Sequence, residues 1–453
     1  LSRTPETDAA NHETIARQEL HEYASVAPEK VLDAGHQISE HDLHATTEMV
    51  STAKHQVDEM LGVIQEKGIK NALSVLEKLG DAHVTDEVHR RLIEDIRGGV
   101  TPSGLKEGIP PWQVLHMSLF SVALPEQKED GAIMELTALM NAMEQFFAGM
   151  QSIGNKAKPL HYSIEIAVAE GSDEIVFYVA VPSEFVNLFE KQILSLFPHA
   201  IVTHEQHDYN IFSEHSSAQV SVANLQRHPI YPLRTHDSFE VDPLNVLLNA
   251  FSKIEREGGG AAIQLVVQAG GKSYQGVYNR IVKRVRDGEK PDVAIRKSTF
   301  TGEMFEAVKD MASTAISEAG GSDKDDKQHL SEREHHALEE FQKKVERPIA
   351  AANLRIAVSA ETGARATQIM REIEASFHQF ENTKGNKITF EHLSGGAQKR
   401  ALKAFSFREF NGAKALPFSF TELASLIHFP SEGVESSPQF KQSRAKGAAA
   451  PLE

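Results

Sequence analysis

The chain has no cysteine among its 453 residues. Disulfides, thiolate metal sites, cysteine nucleophiles and iron–sulfur clusters are therefore excluded. No run approaches the ~18 apolar residues that a membrane span needs. No charged segment followed by an apolar stretch opens the chain, so no signal peptide is read. A G-x-S-x-G elbow, a Rossmann glycine fingerprint and a P-loop are also missing. The GK[ST] string present is Gly271-Lys272-Ser273, and Val266 stands where a P-loop needs its first glycine. Positive charge is short: 47 Lys+Arg against 64 Asp+Glu leave −17. That balance argues against broad wrapping of nucleic acid.

Hydrophobic residues make up 40% of the chain, enough for sizeable cores, and at roughly 100–200 residues per domain the length allows two to four domains. Residues 1–12 read as a disordered lead-in, and 13–108 as a helical region. There Met60, Leu61, Ile64, Ile69, Leu73, Leu76 and Leu79 recur at helical spacing, Gly80 stops the helix, and Asp86 is expected to cap the next one, 87–96. Pro110-Pro111 and Trp112 mark the turn into a new unit, and 131–150 reads as a helix. Residues 161–170 and 174–182 alternate as two strands around a Gly171-Ser172-Asp173 hairpin. Ser183 is expected to cap the helix that follows, and Pro198 to end it before a strand at 200–203. This order resembles half of a ferredoxin-like sandwich. A short strand is read at 218–222, a helix from Asp242-Pro243 to about 256, a central strand at 261–267, and helices at 274–286 and 304–316. Residues 318–330 read as a flexible linker. A second set follows: a helix from Ser331, a strand at 353–359, a helix at 364–380 and a strand at 387–391. The fold class is α+β: a helical N-terminal region, then a composite ferredoxin-like sandwich with halves at 109–317 and 331–430, the linker being an insertion between them, with a domain boundary at the linker as the second reading. Residues 431–453 read as a linker toward a further domain. The start at Leu1 and the loose AKGAAAPLE end mark a piece of a longer protein.

Acidic as it is, the chain has a local basic stretch. Lys272, Arg280, Lys283, Arg284, Arg286, Lys290, Arg296 and Lys297 meet only Asp287, Glu289 and Asp292 over 272–297. It is the candidate polyanion or partner surface, weighed against an ordinary solvated helix face. Tyr274 and Tyr278 give little for base stacking. The 22 histidines scatter. His204-Glu205-Gln206-His207-Asp208 misses the H-E-x-x-H spacing by one residue, His41 and His44 sit i, i+3 with nothing to complete a metal site, and His335-His336 lies in a charged helix. Leu393-Ser394-Gly395-Gly396-Ala397-Gln398 is similar to the signature loop of ABC ATPases, but with no P-loop to act across it reads as a Gly-Gly turn.

Several segments together resemble one family: 74–96, 143–154, 163–202, 236–255, 261–268, 353–360 and 420–430, in that order. They are similar to the amino-terminal, non-ATPase half of large HerA/FtsK-type ATPases of type IV secretion and conjugative DNA transfer. In that family the motor domain follows the segment matched here by Leu423-Ala424-Ser425-Leu426-Ile427-His428-Phe429-Pro430. The resemblance implies a non-catalytic assembly or adaptor region with no catalytic, cofactor or metal residue of its own. ATP and Mg would belong to the motor domain alone. Implied partners are that motor domain and neighbouring subunits of a homo-oligomer, a hexamer among its forms, with membrane secretion components and DNA as further candidates. The implied place is cytoplasmic, at the inner face of the membrane. Two other readings stay open: a stand-alone nucleic-acid- or partner-binding module using 272–297, and a metal-dependent hydrolase using His/Asp positions.

Overall fold

The computed structural model describes residues 39–97, 116–124, 135–156, 158–214, 216–251, 254, 259–270, 274–298 and 331–430. The lead-in, Pro110–Trp112, Lys272, the helix expected at 304–316 and the stretches 318–330 and 431–453 lie outside these residues.

The described residues open with three helices: α1 (Glu40–Thr52), α2 (Gln56–Leu79) and α3 (Ala82–Arg97). The Ser39 hydroxyl caps α1 by accepting the Asp42 N–H at 3.0 Å. Gly68, at φ 77°, kinks α2, and Gly80, at φ 67°, ends it, both in the left-handed region that favours glycine. The next helix starts earlier than the sequence suggests. Asp81 Oδ1 accepts the Val84 N–H at 3.1 Å, so α3 begins at Ala82 and Asp86 is a buried residue inside it rather than its cap.

A mixed set follows: β1 (Met117–Ala123), α4 (Leu136–Met150), β2 (Leu160–Val168), β3 (Ile175–Pro182), α5 (Val186–Leu196) and β4 (Ile201–His204). Then come β5 (Ser217–Leu225), α6 (Leu244–Phe251), β6 (Gly260–Ala269), α7 (Gln275–Arg286), α8 (Glu332–Val345), β7 (Ile349–Ala360), α9 (Gly363–Ser376) and β8 (Ile388–His392). The described chain closes with α10 (Gly395–Ser406), β9 (Leu416–Ser419) and α11 (Phe420–Leu426). Ser183 does not cap α5. Its hydroxyl donates to the His116 carbonyl at 2.7 Å, and a 3-10 turn, Ser183–Phe185, intervenes. Asp242 does cap, Oδ1 accepting the Leu244 N–H at 2.8 Å, and the helix it opens is described over Leu244–Phe251.

All described strands join one antiparallel sheet, ordered β4-β1-β3-β2-β6-β7-β5-β8, with β9 beside β7. The fold is α+β. Its strand order contains the ferredoxin-like βαββαβ unit twice. The first unit, β1-α4-β2-β3-α5-β4, has the order β4-β1-β3-β2. The second, β5-α6-β6-β7-α9-β8, has the matching order β8-β5-β7-β6. The units meet along β2 and β6, paired from Leu160↔Ala269 to Val168↔Ala261. By strand order the join therefore falls between β4 and β5. Residues 218–267, which the sequence reading put with the first half, supply β5, α6 and β6 of the second. The hairpin that joins β2 to β3 has its counterpart in residues 270–348, which carry α7 and α8.

Both faces of the sheet are covered. On one, Ile164, Ile166, Phe177, Val179, Ile263, Leu265, Leu354 and Ile356 pack with α4, α5, α6, α9 and α11 in the main apolar core. On the other, α1–α3 pack on Met117, Leu119 and Ala180, and Leu402 and Phe405 of α10 pack on Ala167, Ala262 and Ala357. No helix among the described residues is long and apolar enough to cross a membrane.

Candidate functional site

The basic stretch lies in the insertion between β6 and β7. α7 buries Tyr278, Ile281, Val282 and Val285 against Ala294, Ile295 and Phe341, and its solvent side presents Arg280, Lys283 and Arg286. Arg284 is half-buried and ion-paired to Glu289 at 3.1 Å. Lys297, from a helical stretch at 291–298, reaches the same Glu289, so the fold brings Arg284 and Lys297 together around one carboxylate. Lys290 and Arg296 are exposed nearby in the chain. Tyr278 is a core residue, 3% exposed, and offers no stacking platform.

Beside the 291–298 stretch is an open hollow of about 510 Å³, lined by Arg227, His228, Tyr231, Asp292, Ile295 and Arg296. Another, about 680 Å³, runs along α9 between Gln219 and Ala375.

The histidines diverge. His204 stacks on Phe120 with 4.8 Å between ring centroids, His207 Nδ1 meets Glu94 at 2.9 Å, and Asp208 turns inward. Among the described residues no group of three or more His, Asp or Glu side chains could hold a metal ion. His336 meets Glu339 at 3.4 Å on the surface of α8. Gly395 and Gly396, read from sequence as a turn, are instead the first residues of α10, which Ser394 precedes as N-cap and where Gln398 Nε2 donates to the Ala218 carbonyl at 2.7 Å.

Where Asp208 goes was not legible from sequence. On the face under α3 and α10, cross-strand partners line up as Tyr178, Glu165, Gln264 and Arg355, from β3, β2, β6 and β7. Glu165 is 0% exposed. It accepts Arg408 Nε at 2.9 Å, Gln264 Nε2 at 3.0 Å, the Ser163 hydroxyl at 2.6 Å and the Tyr209 hydroxyl at 2.6 Å. Arg408 also holds Asp208, Nη1 to Oδ2 at 2.5 Å and Nη2 to Oδ1 at 2.8 Å. Its φ of 44° is unusual for a residue with a side chain, and such a conformation persists only where its surroundings over-determine it. Arg355 donates to the Glu409 carbonyl, so the loop after α10 is tied to the central strands twice.

Burial would raise the Asp208 carboxyl, but the Arg408 charge and hydrogen bonds outweigh it and hold it below the usual carboxylate range. Asp86 forms no ion pair among the described residues. Burial, then the Asp208 charge, pushes it up to about 7, and the Ser406 hydroxyl and the charges of Arg90 and Arg408 lower it too little to offset this. His89, fully buried with both ring nitrogens lacking hydrogen bonds among the described residues, is lowered to about 4 by burial against the pull of Asp208. The sequence signal was present: SIEIAV, AAIQLVV and NLRIAV each carry one long polar residue, Glu165, Gln264 and Arg355, at a position opposite the apolar face. Small residues on that same second face, Ala167, Ala262 and Ala357, left room for a layer above it.

A pH effect follows. The folded Asp86 binds its proton up to about 7, whereas the ordinary value is 3.8. Its contribution is therefore intact below the ordinary value and is lost as pH rises through about 7. Asp86→Asn has no proton to lose. Urea midpoints are expected to favour D86N over the parent increasingly from about pH 5 to about pH 8. The acid-side losses from buried histidines are common to both and cancel. Parallel profiles would mean that Asp86 does not titrate in this range.

No curated protein matches the chain. Residues 119–442, from within β1 past α11, match the family described as Domain of unknown function (DUF8128), and the chain belongs to that family.

Proposed function

We propose that this chain is a non-catalytic assembly region of a HerA/FtsK-type translocating ATPase, passing force between a motor domain and neighbouring subunits. The observation that carries the reading is how firmly residues 416–430 are built in. β9 extends the sheet beside β7, from Ile349↔Ser419 to Ala352↔Leu416. Ser419 and Glu422 form a capping box that opens α11. Glu422 makes a buried ion pair with Lys344 of α8. His428 Nε2 meets Asp242 at 2.9 Å, and Phe429 packs among Phe146, Phe177 and Phe197. This is the segment after which the motor follows in the family that the sequence resembles. A motor hung on it would push against the doubled sheet, with little force lost in a slack joint. Neighbouring subunits, the membrane face and DNA are the partners that this role would call for.

The purified chain is expected to self-associate with concentration in sedimentation velocity and to turn over no more ATP than a mock preparation. ATP turnover that follows the chain through successive columns would overturn the non-catalytic reading. A monomer at every concentration would overturn the subunit contact.

A further inference from the structure

The hollow between the β5–α6 connection and the 291–298 stretch has one wall that is unusually well fixed. Asn386 is 2% exposed, and its side chain laces the loop after β5. Oδ1 accepts the Arg227 N–H at 2.8 Å, and Nδ2 donates to the carbonyls of Arg227 at 3.0 Å, His228 at 3.3 Å and Tyr231 at 3.3 Å. Gly385 lies so close to this loop that a Cβ there would come within 2.1 Å of the Pro232 carbonyl. On this frame the Arg227 side chain lies over the Tyr231 ring at 3.5 Å, and its Nη1 donates to the carbonyls of Lys384 at 2.9 Å and Gly385 at 2.8 Å. Around its guanidinium are the Tyr231 ring and hydroxyl and two neutral carbonyls, so its charge is ion-paired to no carboxylate among the described residues. Arg296 lines the opposite side, and Asp292 is the one acid in the lining.

We propose that this hollow is a phosphate-binding site that takes the phosphodiester backbone of a nucleic acid. A guanidinium locked in place before binding loses little freedom on gripping a phosphate oxygen, and Arg presents a planar donor fork. The apolar sides of Ile295 and Tyr231 suit the sugar that flanks the phosphate. Exposed Arg280, Lys283, Arg286 and Lys290 in the same insertion extend the positive field beyond the hollow, which suits a polymer of phosphates better than a single phosphorylated side chain. The site stands independently of the assembly role.

The test is fluorescence anisotropy of a labelled single-stranded oligonucleotide, and of its duplex, with the full chain over a range of salt. Binding is expected to weaken about tenfold in the Arg227→Gln/Arg296→Gln double variant. The salt slope is expected to fall by about 0.7 per lost contact on the single strand. Arg227→Lys should fall between, because it keeps the charge and loses the fork. Circular dichroism melts show whether each variant folds, and the parent's slope stands by itself should one not. Affinity and slope unchanged in the folded double variant would overturn the proposal. So would displacement of the oligonucleotide by inorganic phosphate at equal phosphate concentration, or tighter binding of a phosphopeptide. A failure here leaves the self-association and ATP results of the assembly role where they were.

Discussion

Replacing Arg408 by methionine is expected to destabilise the chain by about 3–5 kcal/mol, the range for removing one partner of a buried ion pair. Arg408 is the cation between Glu165 and Asp208, whose side chains are 0% and 7% exposed. Without it, Glu165 keeps hydrogen bonds from Ser163, Tyr209 and Gln264, and Asp208 keeps the Tyr209 backbone N–H and the nearby His89 ring. Burial would then dominate Asp208, and its carboxyl would move up instead of down. A raised folded value makes stability fall as pH rises, so the R408M deficit should be larger near neutrality than in mild acid. Urea unfolding followed by circular dichroism measures it. Adding Glu165→Gln and Asp208→Asn should recover much of the loss, because well-packed neutral groups can replace a buried charged cluster. A loss under about 1 kcal/mol near neutral pH would show that the seam is wetter and weaker than its geometry implies.

Lys344→Met is the second large effect, expected at about 3 kcal/mol, toward the low end of the same range. Lys344 and Glu422 are 0% and 1% exposed at their side chains. Burial lowers the Lys344 pKa against the pull of Glu422. Lys344 also donates to the Pro417 carbonyl at 2.8 Å. With it gone, Glu422 keeps the Ser419 N–H at 2.7 Å, the Ser419 hydroxyl at 3.0 Å and the Leu233 N–H at 2.8 Å, which softens the penalty. The loss should be local as well as global. Amide exchange should rise over 416–430 before it rises in β2 and β6, because Lys344 ties α8 to that segment. Lys344→Met with Glu422→Gln should restore part of both. Unchanged exchange over 416–430 in K344M would mean that the apolar contacts of Phe420, Leu423 and Phe429 hold the segment without the ion pair.

What the sequence could and could not disclose follows from the range of each interaction. Helices such as α2 and strands such as β2, β3 and β6 are written in local periodicity, and the structure has them within a few residues. Caps are local too, yet two candidates failed: Asp86 lost to Asp81, five residues earlier, and the Ser183 hydroxyl turned to the His116 carbonyl. Strand partners are not local. The β2–β6 pairing joins residues about a hundred positions apart, so the doubled unit looked like a sandwich split at 318–330. The long insertion between β6 and β7 hid the second βαββαβ order. In the candidate surface, helical spacing puts Arg280, Lys283 and Arg286 on one solvent side, and only the fold turns Arg284 and Lys297 to Glu289. Arg227 stood outside the basic stretch altogether, because the loop that carries it meets the 291–298 stretch only in the folded chain.

The coding sequence beyond Glu453 tests the central claim most directly. The expected result is a reading frame that continues into a G-x-x-x-x-G-K-[ST] loop between a strand and a helix, placing a motor after the anchored 416–430 segment. A stop codon directly after Glu453 would contradict the account and leave a stand-alone binding or scaffold protein in its place.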